Sequence, residues 1–407
     1  MIVILFDPKF ALDAKKIAND IFVAFHKNVE ISLVEITVGG KWSTSPDWDD
    51  LLIVLFDQED SSQTAHFFID DFIKSRGKRA LLLPVAMDVD HRKPPRAAEK
   101  IKAIPYDDSA KGIDGLLVKR VGGMLGLRIQ GRDSKIFISY RESDGARIAE
   151  QIFNHLQALG HTPFQDQARE HDGDTKILPG MSVQEEIEAA LVEASLVLLI
   201  DTSHAPESKW IRLEVETADS TLVPVLPVVF RSADDRKIGP RFRSLQALQR
   251  WVAIDNYDTK RQTALTDAQL DRIVYEIETY MCEIFRRKCR VPFIVEKEFA
   301  QNGFDWQVKD KSLFIYGSAK GGGRVRTKVI THCSIFDQIY HPSMARFRKF
   351  INASDRANYS LFVYDGELLS EAELSDMLEH EKDDVVVLHH QELSSLISSN
   401  FTNLGAA

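Results

Sequence analysis

The chain has 407 residues, which is enough for large hydrophobic cores and predicts two to three domains. With 44% hydrophobic and 28% charged residues, its composition is that of an ordinary globular protein. The formal net charge of −10 argues against a general nucleic-acid coat, because such proteins carry a positive excess. The longest apolar runs fall short of the roughly 20 residues that a membrane-spanning helix needs. Met1 is followed by an apolar strand-like run with no basic leader, so we expect a cytoplasmic protein without membrane contact.

Residues 1–130 predict a first α/β domain, in which apolar strands alternate with amphipathic helices. Strands that are apolar on both faces indicate a parallel sheet covered on each side by helices. The predicted strands are Ile2–Phe6, Val29–Ile36, Leu51–Phe56 and Ala80–Val85, and the predicted helices are Ala11–His26 and Gly112–Leu125.

Residues 131–289 repeat the same order of parts. The apolar run Leu196–Asp201 corresponds to Leu52–Asp57, and Leu222–Val228 corresponds to Ala80–Val85. We therefore expect a duplicated flavodoxin-like fold, with two parallel-sheet domains in tandem. The predicted strands are Lys135–Arg141, Thr162–Asp166, Ser195–Ile200 and Val223–Phe230; the predicted helices are Asp144–Gly160, Ser182–Ala194, a segment that begins at Trp210, and Asp267–Phe285.

Residues 290–407 change in pattern and predict a small α+β domain with a regulatory or partner-binding role. The three cysteines, Cys282, Cys289 and Cys333, are too few and too widely spaced for a disulfide framework or a zinc site, and we expect no metal. The predicted strands are Phe293–Phe299, Asp305–Lys309, Ser312–Tyr316, Leu361–Tyr364 and Val385–Leu388, and the predicted helices are Pro342–Ile351 and Ser370–Glu379.

Three landmarks appear in order in the second domain. Phe137–Tyr140 is followed by Arg141, Pro179-Gly180 ends a polar loop, and Trp210 precedes Glu214 by four residues. With these landmarks the segment of residues 134–287 resembles the TIR (Toll/interleukin-1 receptor) domain family. The resemblance implies that both α/β domains are of the TIR type.

The first domain departs from the family pattern at the landmark positions. Counted from Asp57 as from Asp201, the position of Trp210 holds His66 and that of Glu214 holds Asp70. No Pro-Gly ends its loop. We interpret this domain as a degenerate TIR-like domain kept for packing or partner recognition.

The resemblance implies an enzyme that cleaves NAD+ between nicotinamide and ribose, with no cofactor other than this substrate. In the catalytic branch of the family, a glutamate on the helix after the third strand does this work, and Glu214 corresponds to it. Cleavage builds positive charge on the ribose carbon, which a nearby carboxylate stabilises. The resemblance further implies Trp210 as a wall of the nucleotide pocket and Arg141 as a contact to the pyrophosphate, with Tyr140 and Asp166 as neighbours.

Several alternatives remain open at this stage. An exposed acid on a helix surface is the usual fate of a glutamate, and it is the structural alternative for Glu214. The chain is either an NAD+-consuming effector of bacterial anti-phage immunity, hydrolysing or cyclising ADP-ribose, or a non-enzymatic scaffold that acts through TIR–TIR self-association. A partner protein, a trigger ligand, or nucleic acid bound at Lys320–Lys328 and Arg346–Lys349 would activate the effector through the flanking domains.

Overall fold

A computed structural model describes most of both α/β domains and parts of the C-terminal region. By compactness the chain divides into two units, Met1–Ala24 with Val29–Phe285, and Phe25–Asn28 with Arg286–Ala407. Among the described residues no helix is both long and apolar enough to cross a membrane. The described residues are 2–36, 51–57, 63–76, 80–88, 90, 93–107, 115–128, 135–165, 191, 194–220, 223–232, 239–245, 250–258, 261, 263–302, 304–309, 314–319, 328–335, 359–365 and 386–399.

The first domain contains a five-stranded parallel sheet in the order β2-β1-β3-β4-β5. Every residue of β1, β3 and β4 is buried, because helices cover both faces of the sheet. Its strands are β1 (Ile2–Phe6), β2 (Ile31–Glu35), β3 (Leu51–Phe56), β4 (Leu81–Ala86) and β5 (Ile104–Pro105), and its helices are α1 (Ala11–Ala24), α2 (Gln63–Arg76) and α3 (Leu116–Gly126).

The second domain repeats this arrangement, with the strand order β10-β9-β8-β6-β7 and parallel pairing throughout. Read from the other edge, this is the order of the first sheet, so the predicted tandem of flavodoxin-like domains is confirmed. Most of the predicted helix Ser182–Ala194 lies outside the described residues. The strands are β6 (Lys135–Ser139), β7 (Pro163–Gln165), β8 (Ala194–Asp201), β9 (Val225–Phe230) and β10 (Val252–Ile254), and the helices are α4 (Glu142–Ala158), α5 (Lys209–Ser220) and α6 (Asp267–Gln301).

The C-terminal region contains a third five-stranded sheet with its strands in sequential order, which confirms the predicted α+β class. The first three strands pair antiparallel and the last three pair parallel. The predicted helices Pro342–Ile351 and Ser370–Glu379 lie outside the described residues. The elements are β11 (Phe304–Lys309), β12 (Phe314–Ala319), β13 (Lys328–Ile335), β14 (Tyr359–Asp365), β15 (Val386–His389) and α7 (Leu393–Ser398).

The predicted strand Phe293–Phe299 is wrong, because this segment belongs to helix α6. Val291, Val295 and Phe299 are spaced four residues apart and are all fully buried, so they form one apolar stripe of a helix. The helix continues through Pro292. The predicted domain boundary at residue 289 lies within this helix, and the first compact unit ends at Phe285.

A buried charged cluster joins the two α/β domains. Glu278 on α6 forms an ion pair with Arg120 on α3, and His161 Nε2 lies 3.0 Å from the Glu278 carboxylate. The Glu278 side chain is 1% exposed. A charge this deep requires partners, because leaving it alone in the interior costs several kcal/mol, roughly 3–5. The first domain thus supplies the counter-charge for a helix of the second.

Helices α3 and α6 approach closely where α3 carries glycines. A Cβ added to Gly126 would lie 2.2 Å from the Met281 carbonyl oxygen, and one on Gly123 would lie 2.8 Å from the Glu278 Cα. Both opposing atoms are backbone, which cannot move aside as a flexible side chain would. The interface between the domains therefore requires glycine at these two positions.

We expect the substitution Gly126→Ala to lower the free energy of unfolding by about 1–3 kcal/mol, because the added methyl group overpacks the interface. This loss would exceed the gain of up to about 1 kcal/mol that alanine brings to a helix. Urea unfolding of the full chain measures the difference. Gly239→Ala is the matched control, since a Cβ at Gly239 meets no atom within 4 Å. Equal stabilities of the two variants would contradict the interpretation.

Candidate active site at the carboxyl edge of the second sheet

The strand order of the second sheet has its reversal of direction at β6. The chain leaves β6 for β7 on one side, and β8 pairs with β6 on the other, with Ser139 opposite Leu199. Open α/β sheets bind ligands at such a reversal of direction. Tyr140 and Arg141 follow directly after β6 and therefore lie at this edge.

Glu214 is buried at this edge, with 6% of its surface exposed. The Ser139 hydroxyl, at the end of β6, donates a hydrogen bond of 2.5 Å to Glu214 Oε2. Hydrogen bonds to an ionised acceptor are short and strong, and this one fixes the carboxylate toward the strand end. The alternative that Glu214 is an exposed surface acid is therefore wrong. Glu216, two residues later on the same helix, is exposed.

Trp210 lies in the first turn of α5, one helical turn before Glu214, and is 51% exposed. The two residues differ in burial because Trp210 precedes Ile211, the first residue that α5 buries in the core. The indole is thus available at the surface beside a buried acid. Its role as a wall of a nucleotide pocket stays a prediction.

Arg141 is held at the edge by two acids. One terminal nitrogen of its guanidinium lies 3.9 Å from Asp144 Oδ2 and the other lies 3.5 Å from Glu207 Oε2. Asp144 Oδ2 in turn accepts a hydrogen bond of 2.8 Å from the Thr202 hydroxyl at the end of β8. About a third of the Arg141 side chain is exposed, so it is within reach of an anionic ligand.

Glu207 and His204 form an exposed pair beside Arg141. His204 Nδ1 lies 2.9 Å from Glu207 Oε1. This hydrogen bond holds the pKa of Glu207 below its usual range, with a further contribution from the positive charge of Arg141. The acid therefore stays ionised and keeps its attraction for the Arg141 guanidinium.

Tyr140 packs against helix α4 at the same edge. A Cβ added to Gly145 would lie 3.1 Å from the Tyr140 Cβ, so glycine lets α4 approach the strand end closely. The remaining predicted neighbour, Asp166, and the polar loop that ends at Pro179-Gly180 lie outside the described residues.

Sequence reasoning missed the pair of Asp201 and Arg241. The Asp201 side chain is fully buried and accepts a 2.7 Å hydrogen bond from the Arg241 backbone nitrogen. The Arg241 guanidinium donates to the carbonyl oxygens of Asp201 at 2.7 Å and of Phe230 at 2.8 Å, so it ties the ends of β8 and β9 together. The sequence did contain a signal for Asp201, because an aspartate ends the apolar run in both domains, Asp201 in the second and Asp57 in the first.

The sequence analysis included Ser139 only within the motif Phe137–Tyr140 and assigned it no role. In the structure it is the residue that donates a hydrogen bond to Glu214. A small hydroxyl at the carboxyl end of an apolar strand was the signal in the sequence. The partner could not be inferred, because Ser139 and Glu214 are 75 residues apart.

A cavity of about 480 Å³ lies elsewhere, between the two α/β domains. Its lining includes Lys102, Leu116, Arg120, Asp271, Tyr275 and Glu278. Neither Glu214 nor Trp210 lines it. The candidate site is thus defined by the strand ends and α5, and not by this cavity.

The second domain is a doubly wound α/β domain with a buried acid at its topological switch point. Residues 136–267 match the model of the TIR domain family, and this part of the chain is therefore a TIR domain. The predicted resemblance is confirmed. A comparison with curated proteins finds no match.

Similar solved structures resemble this chain only weakly. The TIR domains of the activated Roq1 resistosome, which directly recognizes the pathogen effector XopQ, share 19% identity with a TM-score of 0.22; the match covers 37% of this chain and 84% of that one. Protein VC1899 from Vibrio cholerae shares 11% identity with a TM-score of 0.18 over 100% of this chain and 98% of that one. Likenesses this weak carry no information about function.

We expect Ser139→Ala to lower the free energy of unfolding by about 1–3 kcal/mol, because a buried carboxylate loses a hydrogen-bond donor. Chemical unfolding at neutral pH measures the loss. Ser203→Ala removes an exposed serine after β8 and is the control. A Ser139→Ala variant as stable as this control would show that the hydrogen bond to Glu214 is not needed.

We expect Asp201 to make stability fall with rising pH. Burial raises the pKa of Asp201 above its ordinary 3.8, against the lowering effect of Arg241. The folded state therefore binds this proton more tightly than the unfolded state does, and the stabilisation is lost as pH rises through the raised pKa. The measurement is the unfolding free energy of the native chain minus that of Asp201→Asn as a function of pH. This difference should fall as pH rises from 3.8 to the raised pKa of Asp201, and then level off. A difference that rises with pH would contradict the assignment.

Proposed function

We propose that the TIR domain of this chain cleaves NAD+ at the bond between nicotinamide and ribose, with Glu214 as the catalytic residue. The observation that carries the proposal is the buried Glu214 carboxylate, bonded to Ser139 at the carboxyl edge of a TIR-domain sheet. A carboxylate kept in this position requires a reason, because burying an acid costs free energy unless it is paired.

The chemistry requires little from the protein beyond a well-placed negative charge. As the bond between nicotinamide and C1′ breaks, its electron pair moves to the ring nitrogen and nicotinamide leaves as a neutral molecule. Positive charge then develops on C1′ of the ribose, where the Glu214 carboxylate stabilises it and holds the ribose hydroxyls. Since the leaving group is already cationic in NAD+, no strong general acid is needed.

The other residues of the edge would bind the substrate. Arg141 contacts the pyrophosphate, for which the guanidinium of its one-third-exposed side chain provides paired donors. Trp210 forms a wall of the nucleotide pocket through its exposed indole face. Tyr140 and Asp166 are the further residues to which we assign substrate contacts. The proposal involves no cofactor other than NAD+ as substrate.

The product and the setting belong to the same proposal. After nicotinamide leaves, either water adds to C1′ and releases ADP-ribose with a proton, or the ADP-ribose part cyclises. We place the enzyme in bacterial anti-phage immunity in the cytoplasm, activated by TIR–TIR self-association. A partner protein or trigger ligand at the flanking domains would start the assembly.

A non-enzymatic scaffold is the second candidate function. The observation that favours it is the 51% exposure of Trp210, since exposed aromatic side chains are enriched at protein–protein contacts. In a scaffold Trp210→Ala would weaken self-association, and Glu214 would serve only to position α5 through Ser139.

We expect Glu214→Gln to reduce nicotinamide release from NAD+ by about 100- to 1,000-fold, because the charge that stabilises the transition state is lost. The measurement is chromatography of reactions with the purified full chain over a range of protein concentrations, since assembly is expected to raise the rate per molecule. The second product distinguishes hydrolysis from cyclisation.

Glu216→Gln is the matched control for this experiment. It removes the same charge from the same helix at an exposed position, so its rate should equal that of the native chain. Turnover in Glu214→Gln equal to that in Glu216→Gln would defeat the assignment of Glu214. If the native chain and Glu216→Gln both self-associate but release no nicotinamide, the scaffold function would be favoured.

A further inference from the structure

The parallel half of the C-terminal sheet brings three metal-ligating side chains together. Strands β14 and β15 are parallel neighbours, and their register pairs Tyr364 with His389. Asp365 and His390, the next residue after each, therefore lie side by side at the carboxyl edge of the sheet. The ends of β14 and β15 thus bring Asp365, His389 and His390 together.

These side chains are close enough to share one ion. One ligand atom each from Asp365, His389 and His390 lies within 4.8 Å of the other two. The rings of His389 and His390 are 4.4 Å apart between centroids. Asp365 is 3% exposed, His390 is 5% exposed and His389 is half-buried, so this is not a scatter of surface groups.

His390 carries a buried nitrogen that no protein group satisfies among the described residues. Its Nδ1 has no hydrogen-bond partner, although buried polar atoms are almost always paired. Its Nε2 lies 3.4 Å from an Arg290 guanidinium nitrogen. A metal bound at Nδ1 would place the ring proton on Nε2, so the Arg290 guanidinium would have to move away from Nε2 when the ion binds.

The surroundings hold the cluster in place. The Glu392 carboxylate accepts a hydrogen bond of 3.2 Å from the His389 backbone nitrogen, and fixes the turn that carries both histidines. The Gln391 backbone nitrogen donates a long hydrogen bond of 3.4 Å to His389 Nδ1. Leu361, Val363 and Leu393 are fully buried beneath the edge. A rigid apolar base of this kind keeps metal ligands pre-arranged.

We propose that Asp365, His389 and His390 bind a divalent transition-metal ion of the zinc type. Two imidazoles and one carboxylate match the borderline donor preference of Zn²⁺, and three protein ligands leave a fourth position for water or another ligand. The sequence predicted no metal, because cysteine spacing was the signal considered and these ligands come from two separate strands. The site is independent of the proposed NAD+ cleavage.

A simpler interpretation is that Asp365, His389 and His390 form a polar cluster beside Arg290 without a metal. This interpretation leaves the buried Nδ1 atom of His390 unexplained. The nearby Arg290 charge opposes a cation, and the Asp365 carboxylate offsets that repulsion. The two interpretations differ in one measurable respect, which is the binding of metal.

The test is metal binding by the purified full chain after treatment with a chelator. Equilibrium dialysis against Zn²⁺ with elemental analysis should give one bound ion per chain, and Co²⁺ should give visible absorption bands at the same stoichiometry. Asp365→Asn and His389→Gln approximately keep the side-chain volume. Each should weaken Zn²⁺ binding at least about tenfold, since the loss of a residue that merely hydrogen-bonds to a metal ligand already has an effect of this size. Bound Zn²⁺ should also raise the Tm of the native chain.

His155→Gln is the matched control, because His155 Nε2 lies 3.0 Å from Asp271 in another histidine–aspartate contact. It should bind Zn²⁺ as the native chain does. The proposal is overturned if the folded native chain binds no stoichiometric Zn²⁺, or if folded His389→Gln binds Co²⁺ with native affinity and spectrum. Circular dichroism establishes folding, and His390→Gln replaces any variant that fails to fold.

Discussion

The parallel pairing of β6 with β8 is the constraint on which the candidate site depends. Parallel strands end at the same edge, so the pairing brings Ser139 to the place where the chain leaves β8 for helix α5. Only in that arrangement can a hydroxyl from one strand reach Glu214, 75 residues away. The apolar faces of both strands require helices on either side, and α5 covers one of them. Because α5 must cover the apolar face of the sheet, its residue Glu214 lies at the carboxyl edge of that sheet.

The two α/β domains share one strand order but differ at this edge. In the first, Asp57 forms an exposed ion pair of 2.8 Å with Lys9, whereas in the second Asp201 is buried under Arg241. Asp70, which corresponds to Glu214 by sequence count, is exposed on α2. At these two positions the acids are buried in the second domain but not in the first, so the shared packing arrangement alone does not demand buried acids there.

The sequence predicted the strands best where burial decides the structure. Runs such as Leu51–Phe56 are buried on both faces, so composition alone marks them. Phe293–Phe299 was misread because its aromatic and β-branched residues favour a strand, whereas the four-residue spacing of Val295 and Phe299 follows a helix. At the site, the family motif pointed to Glu214, but its contact with Ser139 depends on tertiary packing. No local pattern encodes a hydrogen bond between distant elements.

The cluster of Glu278, Arg120 and His161 ties the stability of the second domain to the presence of the first. The first domain, in which the exposed Asp70 stands at the position of Glu214, neutralises a charge inside its neighbour. Its Arg120 thus serves the interior of the second domain as much as that domain's own side chains do. Removing the first domain would take away the counter-charge of Glu278, so the second domain depends on the first for its stability.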